Sequence, residues 1–108
     1  MKIPPFNFSE HGQDQASITL EADMKYSLFE KHGIEPNGYV WKKVIQTHLE
    51  QTQPELLNSV TFDPEAGMFS CYGTVRGMQS IAPSLLELYN DDILLETIIL
   101  SFIKRKAD

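Results

Sequence analysis

The chain has 108 residues, 42% hydrophobic and 22% charged, with a formal net charge of −6 and one cysteine. That length buries one core but not two, and an aromatic content of 10% fits a folded chain rather than a disordered one, so a single domain over residues 1–108 is expected. A lone cysteine excludes an internal disulfide, and the acidic balance disfavours nucleic acid as a partner.

Ile3 to Phe8 is interrupted by Pro4 and Pro5, which predicts an extended segment with an edge strand from about Phe6. His11-Gly12-Gln13-Asp14 predicts a turn. Ala16, Ile18, Leu20 and Ala22 alternate on one face of the strand that follows. Asp23 is a candidate cap for a short helix over 24–32, stopped by Gly33. Asn37 is the candidate cap of the main helix, along which Trp41, Val44, Ile45, His48 and Leu49 recur on one stripe. Pro54 suits the first position of a short helical turn in which Leu56 and Leu57 pack down.

Val60 to Gly73 predicts a β-hairpin. Pro64 presets the first corner of a type I turn and Gly67 supplies a positive φ, so Asp63 should pair with Met68, Phe62 face Phe69 and Val60 face Cys71. Val60, Phe62, Phe69 and Cys71 then share an apolar face, while Thr61, Ser70 and Tyr72 occupy the other and Glu65 lies at the tip. Residues 73–77 read as a turn or a strand extension. Met78, Ile81, Ala82, Leu85, Leu86 and Tyr89 repeat the helical spacing, and Pro83 inside the pattern predicts a helix that starts at about Ser80. After Asn90-Asp91-Asp92, a last helix carries Ile93, Leu94, Leu95, Ile98, Ile99, Phe102 and Ile103 on more than one stripe, which predicts burial on two sides. Its acidic start and its basic end at Lys104, Arg105 and Lys106 suit the helix dipole. This order predicts an α+β fold, an antiparallel sheet with helices packed on one face.

No chemistry-bearing constellation stands out. Cys71 falls on the apolar face of the hairpin, where a thiol acts as a small hydrophobe, and His48 lies on the buried stripe of the main helix. Asp63 and Glu65 sit at a hairpin tip without the dry pocket that raises a catalytic pKa. His11, His32 and His48 show no metal-ligand spacing, and the glycines form no phosphate loop. The chain is therefore expected to be no enzyme and to need no metal or other cofactor. No stretch approaches the about 20 apolar residues of a spanning helix, and no signal-peptide core follows Met1, so a cytoplasmic location away from membranes is expected.

Gly38-Tyr39-Val40-Trp41 at a helix start, Pro54-Glu55-Leu56-Leu57, the string Phe62-Asp63-Pro64-Glu65-Ala66-Gly67-Met68-Phe69 and a closing helix together resemble the Immunity protein 51 family of bacterial polymorphic toxin systems. The resemblance covers roughly Asn37 to the last helix. It implies a small intracellular α+β protein that binds a cognate toxin domain and blocks it, without catalysis. Its motif residues coincide with positions assigned above to fold, so it does not say where the toxin binds.

The charge distribution suggests where. Between Val44 and Ile103 eight acids face one base, Arg76, a field suited to a basic partner such as a nuclease whose site must hold phosphate. The candidate toxin-binding residues are Asp63, Glu65, Glu87, Asp91, Asp92 and Glu96, with Tyr72 as an aromatic anchor. The alternative is a non-enzymatic interaction or oligomerisation module unrelated to toxins, favoured if the last helix leaves an apolar face exposed. Nothing in the sequence itself indicates a homo-oligomer.

Overall fold

The alternation between Gln15 and Ala22 makes a strand with one buried face, and the later strand Met68–Thr74, which pairs along its whole length, repeats the same in-and-out pattern. In the computed structural model, which describes residues 1–107 and side chains as far as Phe102, the chain runs β1 (Asn7–Gly12), β2 (Gln15–Glu21), α1 (Tyr26–Glu30) and α2 (Gly38–Thr52). It continues through a 3-10 turn (Pro54–Ser59), β3 (Thr61–Phe62), β4 (Met68–Thr74), α3 (Val75–Asn90) and α4 (Asp92–Ala107). The expected side-chain roles of Ile103, Lys104, Arg105 and Lys106 lie outside the described residues.

The four strands form one antiparallel sheet in the order β1-β2-β4-β3. Its register sets Phe8, Ile18, Cys71 and Phe62 in one row across all four strands, with Leu20 opposite Phe69 in the next. These residues face the helices. α2 packs on β4, α3 on β2 and β4, and α4 on the outer side of α2 and α3. The α+β expectation, with helices on one face of an antiparallel sheet, is what the chain adopts. Trp41, Val44, Ile45 and Leu49 of α2 meet Met78, Ile81, Leu85 and Leu88 of α3 and Leu95 and Ile99 of α4 in one buried cluster. Each large side chain there contributes about 1.5–3 kcal/mol by leaving water.

The β3–β4 hairpin departs from the expected register. Phe62 pairs with Cys71, not with Phe69, and Glu65 pairs with Met68 through two bonds of 2.8 and 3.2 Å. The corner is therefore Ala66-Gly67, two residues beyond Pro64. Gly67 does not adopt a positive φ. Pro64 lies between Asp63, whose N–H donates to Ser70 O at 2.9 Å, and the paired Glu65. A ladder asks for no N–H at that position, so proline fits without loss. A shift of two residues preserves facing, so Phe69 and Cys71 are buried as expected and Phe62 lies beside Phe69, ring centroids 6.2 Å apart.

The turn carbonyls do more than close the hairpin. Ala66 O accepts from Gly38 N at 3.1 Å, and Gly67 O accepts from Ala22 N at 3.2 Å. The start of α2 is thus seated on the hairpin corner, where a Cβ on Gly38 would overlap the carbonyl oxygens of Glu65 and Met68. Asn37 caps the same helix end, its Oδ1 accepting from Val40 N at 2.9 Å.

Three helix starts differ in how well the sequence announces them. Asn37 caps as expected. Asp23 does not cap α1. Lys25 precedes that helix in the left-handed region, φ 59°, and its ammonium, which has no acceptor to offer the helix end, is held by Asp92 at 2.7 Å and lies 4.6 Å from the Tyr89 ring centre. Gly33, φ 72°, closes α1 through bonds from Gly33 N to Glu30 O and from Ile34 N to Phe29 O. α3 begins at Val75 rather than near Ser80, because Thr74 Oγ1 accepts from Gly77 N at 2.9 Å and caps it there. Pro83 is consequently inside the helix, on its exposed side, where solvent can take the place of the lost bond. β1 runs to Gly12, so the expected four-residue turn is a two-residue one at Gln13 and Asp14, φ 52° and 58°.

Gly38→Ala is expected to destabilise the chain by about 2–4 kcal/mol, because neither hairpin carbonyl can move without breaking the corner. Urea midpoints of the variant and of the exposed control Gly67→Ala, which meets nothing within 4 Å, test this.

Candidate functional site

With the helices on one side, the other side of the sheet is open among the described residues. Its rows are polar: Asn7, Thr19, Ser70 and Asp63 in one, and Ser9, Ser17, Tyr72 and Thr61 in the next. Tyr72 stands 43% exposed on the central strand β4, between Ser17 and Thr61, whose small side chains leave its ring free. His11 Nε2 and Ser17 Oγ are hydrogen-bonded at 2.7 Å. Glu21 and Glu65 flank Met68 at the hairpin end. An open hollow of about 480 Å³ beside that end is lined by Glu21, Asp23, Pro36, Ala66 and Met68.

The charges divide unevenly between the sheet segments and the rest of the chain. Residues 3–24 and 60–74, which make the sheet and its turns, hold Glu10, Asp14, Glu21, Asp23, Asp63 and Glu65 and no lysine or arginine. All six acids are exposed. The nine acids elsewhere are matched by the nine lysines and arginines, so the sheet segments account for the whole net charge of −6.

The seven residues expected to bind a partner therefore separate into two groups. Asp63, Glu65 and Tyr72 come together on the open side of the hairpin. Glu87, Asp91, Asp92 and Glu96 lie on the helical side, where α3 passes into α4, and three of them already have structural partners. Asp92 Oδ1 accepts from Lys25 at 2.7 Å, and Glu96 Oε2 is 2.9 Å from Lys31 Nζ and 2.7 Å from His32 Nε2. Lys31 first, then His32, hold the Glu96 carboxyl below its ordinary range. Asp91 Oδ1 caps α4, accepting from Leu94 N at 3.0 Å. Glu21 and Asp23 were missed by sequence reasoning. The signal for them is the lack of any lysine or arginine between Lys2 and Lys25.

Cys71, His48 and Trp41 are set in the core. Burial pushes the Cys71 thiol up to about 12, with the Ile18 backbone opposing only weakly, so it stays protonated at neutral pH. His48 is 1% exposed and its Nδ1 has no hydrogen-bond partner among the described residues. Burial lowers its pKa from the ordinary value, against the opposing pull of the Glu87 carboxylate and of the Ser84 backbone. Trp41 is fully buried, its Nε1 donating to Ala22 O at 3.2 Å, and belongs to an aromatic chain with Phe29, Tyr89 and Phe6. Among the described residues no three of His, Cys, Asp and Glu are grouped to hold a metal ion, and no helix is long and apolar enough to cross a membrane.

A family model described as Immunity protein 51 matches residues 6–104. No curated protein and no solved structure matches the chain significantly. The matched range takes in both the Gly38 helix start and the Ala66-Gly67 corner on which it sits.

Two expected outcomes test the core assignments. Cys71 should resist a thiol-specific reagent in the folded chain and react stoichiometrically on unfolding in urea. His48 is held neutral by the fold, so the unfolded chain takes up a proton near pH 6.5 that the folded chain refuses. Stability should then fall as pH drops below about 6.5, and His48→Gln should flatten this slope in urea midpoints compared at pH 7.5 and 5.5.

Proposed function

This chain belongs to the Immunity protein 51 family, and from that premise we propose that it protects its producer by binding a cognate toxin domain and covering that domain's active site. The family match over residues 6–104 is the observation that carries this reading. Inhibition by occlusion asks no catalysis and no cofactor of the chain, and a buried Cys71 and His48 agree with that division of labour. The whole chain serves as one binding unit that works in the cytoplasm, where an incoming toxin would act.

The partner is a basic domain. A net charge of −6 favours a cationic surface, and a nuclease meets this requirement because its site has to hold phosphate. Such a pairing associates quickly at low salt and more slowly as salt rises.

One observation keeps a second reading open. Ile93 and Leu100, seven residues apart on α4, are 80% and 45% exposed, the kind of apolar stripe that an interaction or oligomerisation module would use. Sedimentation of the chain alone separates the two: a dimer abolished by Ile93→Lys would favour the module.

Co-expression with the toxic C-terminal domain encoded beside its gene is expected to restore growth and to yield a complex that survives purification. Continued killing, with both proteins folded and no complex, would leave the family assignment without its expected activity.

A further inference from the structure

We propose that the toxin docks on the open face of the sheet, with Tyr72 as its anchor and Glu21, Asp63 and Glu65 as its charge contacts, and that the α3–α4 corner takes no direct part. The proposal rests on the immunity reading and names the surface that reading leaves unassigned.

An uncovered sheet face is the first reason. β2 and β4 are the two central strands, and among the described residues no helix covers their outer residues Ser17, Thr19, Ser70 and Tyr72. Hydroxyl groups on that face can both donate and accept, which suits a partner of mixed polarity. Tyr72 presents a rigid ring with a polar tip above small neighbours, the kind of residue that dominates binding energy at the centre of an interface.

Charge complementarity identifies the occupant. The acids around this face have no lysine or arginine in the strands and turns that carry them, whereas three of the four acids at the α3–α4 corner, Asp91, Asp92 and Glu96, are tied to Lys25, Lys31 and His32 or spent on a helix cap. A cationic partner is therefore drawn to the sheet, where its approach displaces no internal ion pair. The hollow lined by Glu21 and Asp23 at the hairpin end, about 480 Å³, is wide enough for an arginine or lysine side chain. The partner is thus a protein surface with clustered basic side chains, such as the phosphate-holding cleft of a nuclease domain.

Two triple charge reversals of equal net change separate the surfaces. One is Glu21→Lys, Asp63→Lys and Glu65→Lys. The other is Glu50→Lys, Glu55→Lys and Glu87→Lys, all exposed residues on the helical side. Association with the purified toxin domain is measured at low salt, with thermal melts confirming that each variant folds. The sheet triple should slow association at least tenfold and the helical triple by less than about threefold, while Tyr72→Ala should speed dissociation by tenfold or more. The neutral pair Asp63→Asn and Glu65→Gln repeats the test should the triple not fold, with a smaller slowing expected. Equal slowing by both triples, or loss confined to the helical triple, would overturn the docking surface while leaving the immunity reading intact. A dimer of the chain that Tyr72→Glu dissolves would also overturn it, because a second copy would then cover the face. A wild-type chain that neither binds nor rescues would remove the immunity reading and the docking surface together.

Discussion

The bond from Gly38 N to Ala66 O is the contact on which the rest of the structure depends. A helix start leaves its first N–H groups unpaired, and burying them without acceptors costs about 1–3 kcal/mol each. Here a hairpin corner supplies one acceptor and Asn37 another. The same corner holds Ala22 through Gly67 O, and Ala22 O in turn receives the Trp41 indole. Three segments distant in sequence are pinned within one turn of helix. From there Trp41 stacks on Tyr89 and meets Phe29 edge-on, so α1 and α3 take their places from the same seat.

That arrangement explains why the family-like strings around Gly38 and Gly67 occur together. Gly38 is needed for the lack of a side chain that permits backbone approach, and the hairpin is needed for the carbonyls that meet it. Both strings describe the scaffold. The open face of the sheet, by contrast, is assembled from hydroxyls, one tyrosine and scattered acids, and belongs to no compact motif.

Much of the fold was legible because its signals are local. The stripe from Trp41 to Leu49, the Asn37 cap and the alternation from Ala16 to Ala22 each lie within one element. The facing of Phe69 and Cys71 survived a wrong hairpin corner because strand parity repeats every two residues. What failed depended on distant neighbours. Residues 73–77 read as a turn or a strand extension and Pro83 as part of the first turn of a helix from Ser80, yet Gly73 and Gly77 admit the Ser59 carbonyl and Thr74 caps a helix that runs through the proline. Asp92 and Glu96 looked free because Lys25 and His32 stand 67 and 64 residues away. Glu21 and Asp23 looked unrelated to the hairpin until the pairing of β2 with β4 set Glu21 opposite Met68 and brought both beside its corner.

Both edges of the sheet are blunted. β3 is only two residues long and runs into Pro64, and β1 breaks register between Glu10 and Gly12. Neither offers a long, flat row of free backbone groups for another strand to join. Strand addition, which gives many small domains a general affinity for extended peptides, is therefore disfavoured here. That leaves selection of partners to side chains on a face, and a surface built that way can be retuned by substitution without disturbing the ladder beneath it.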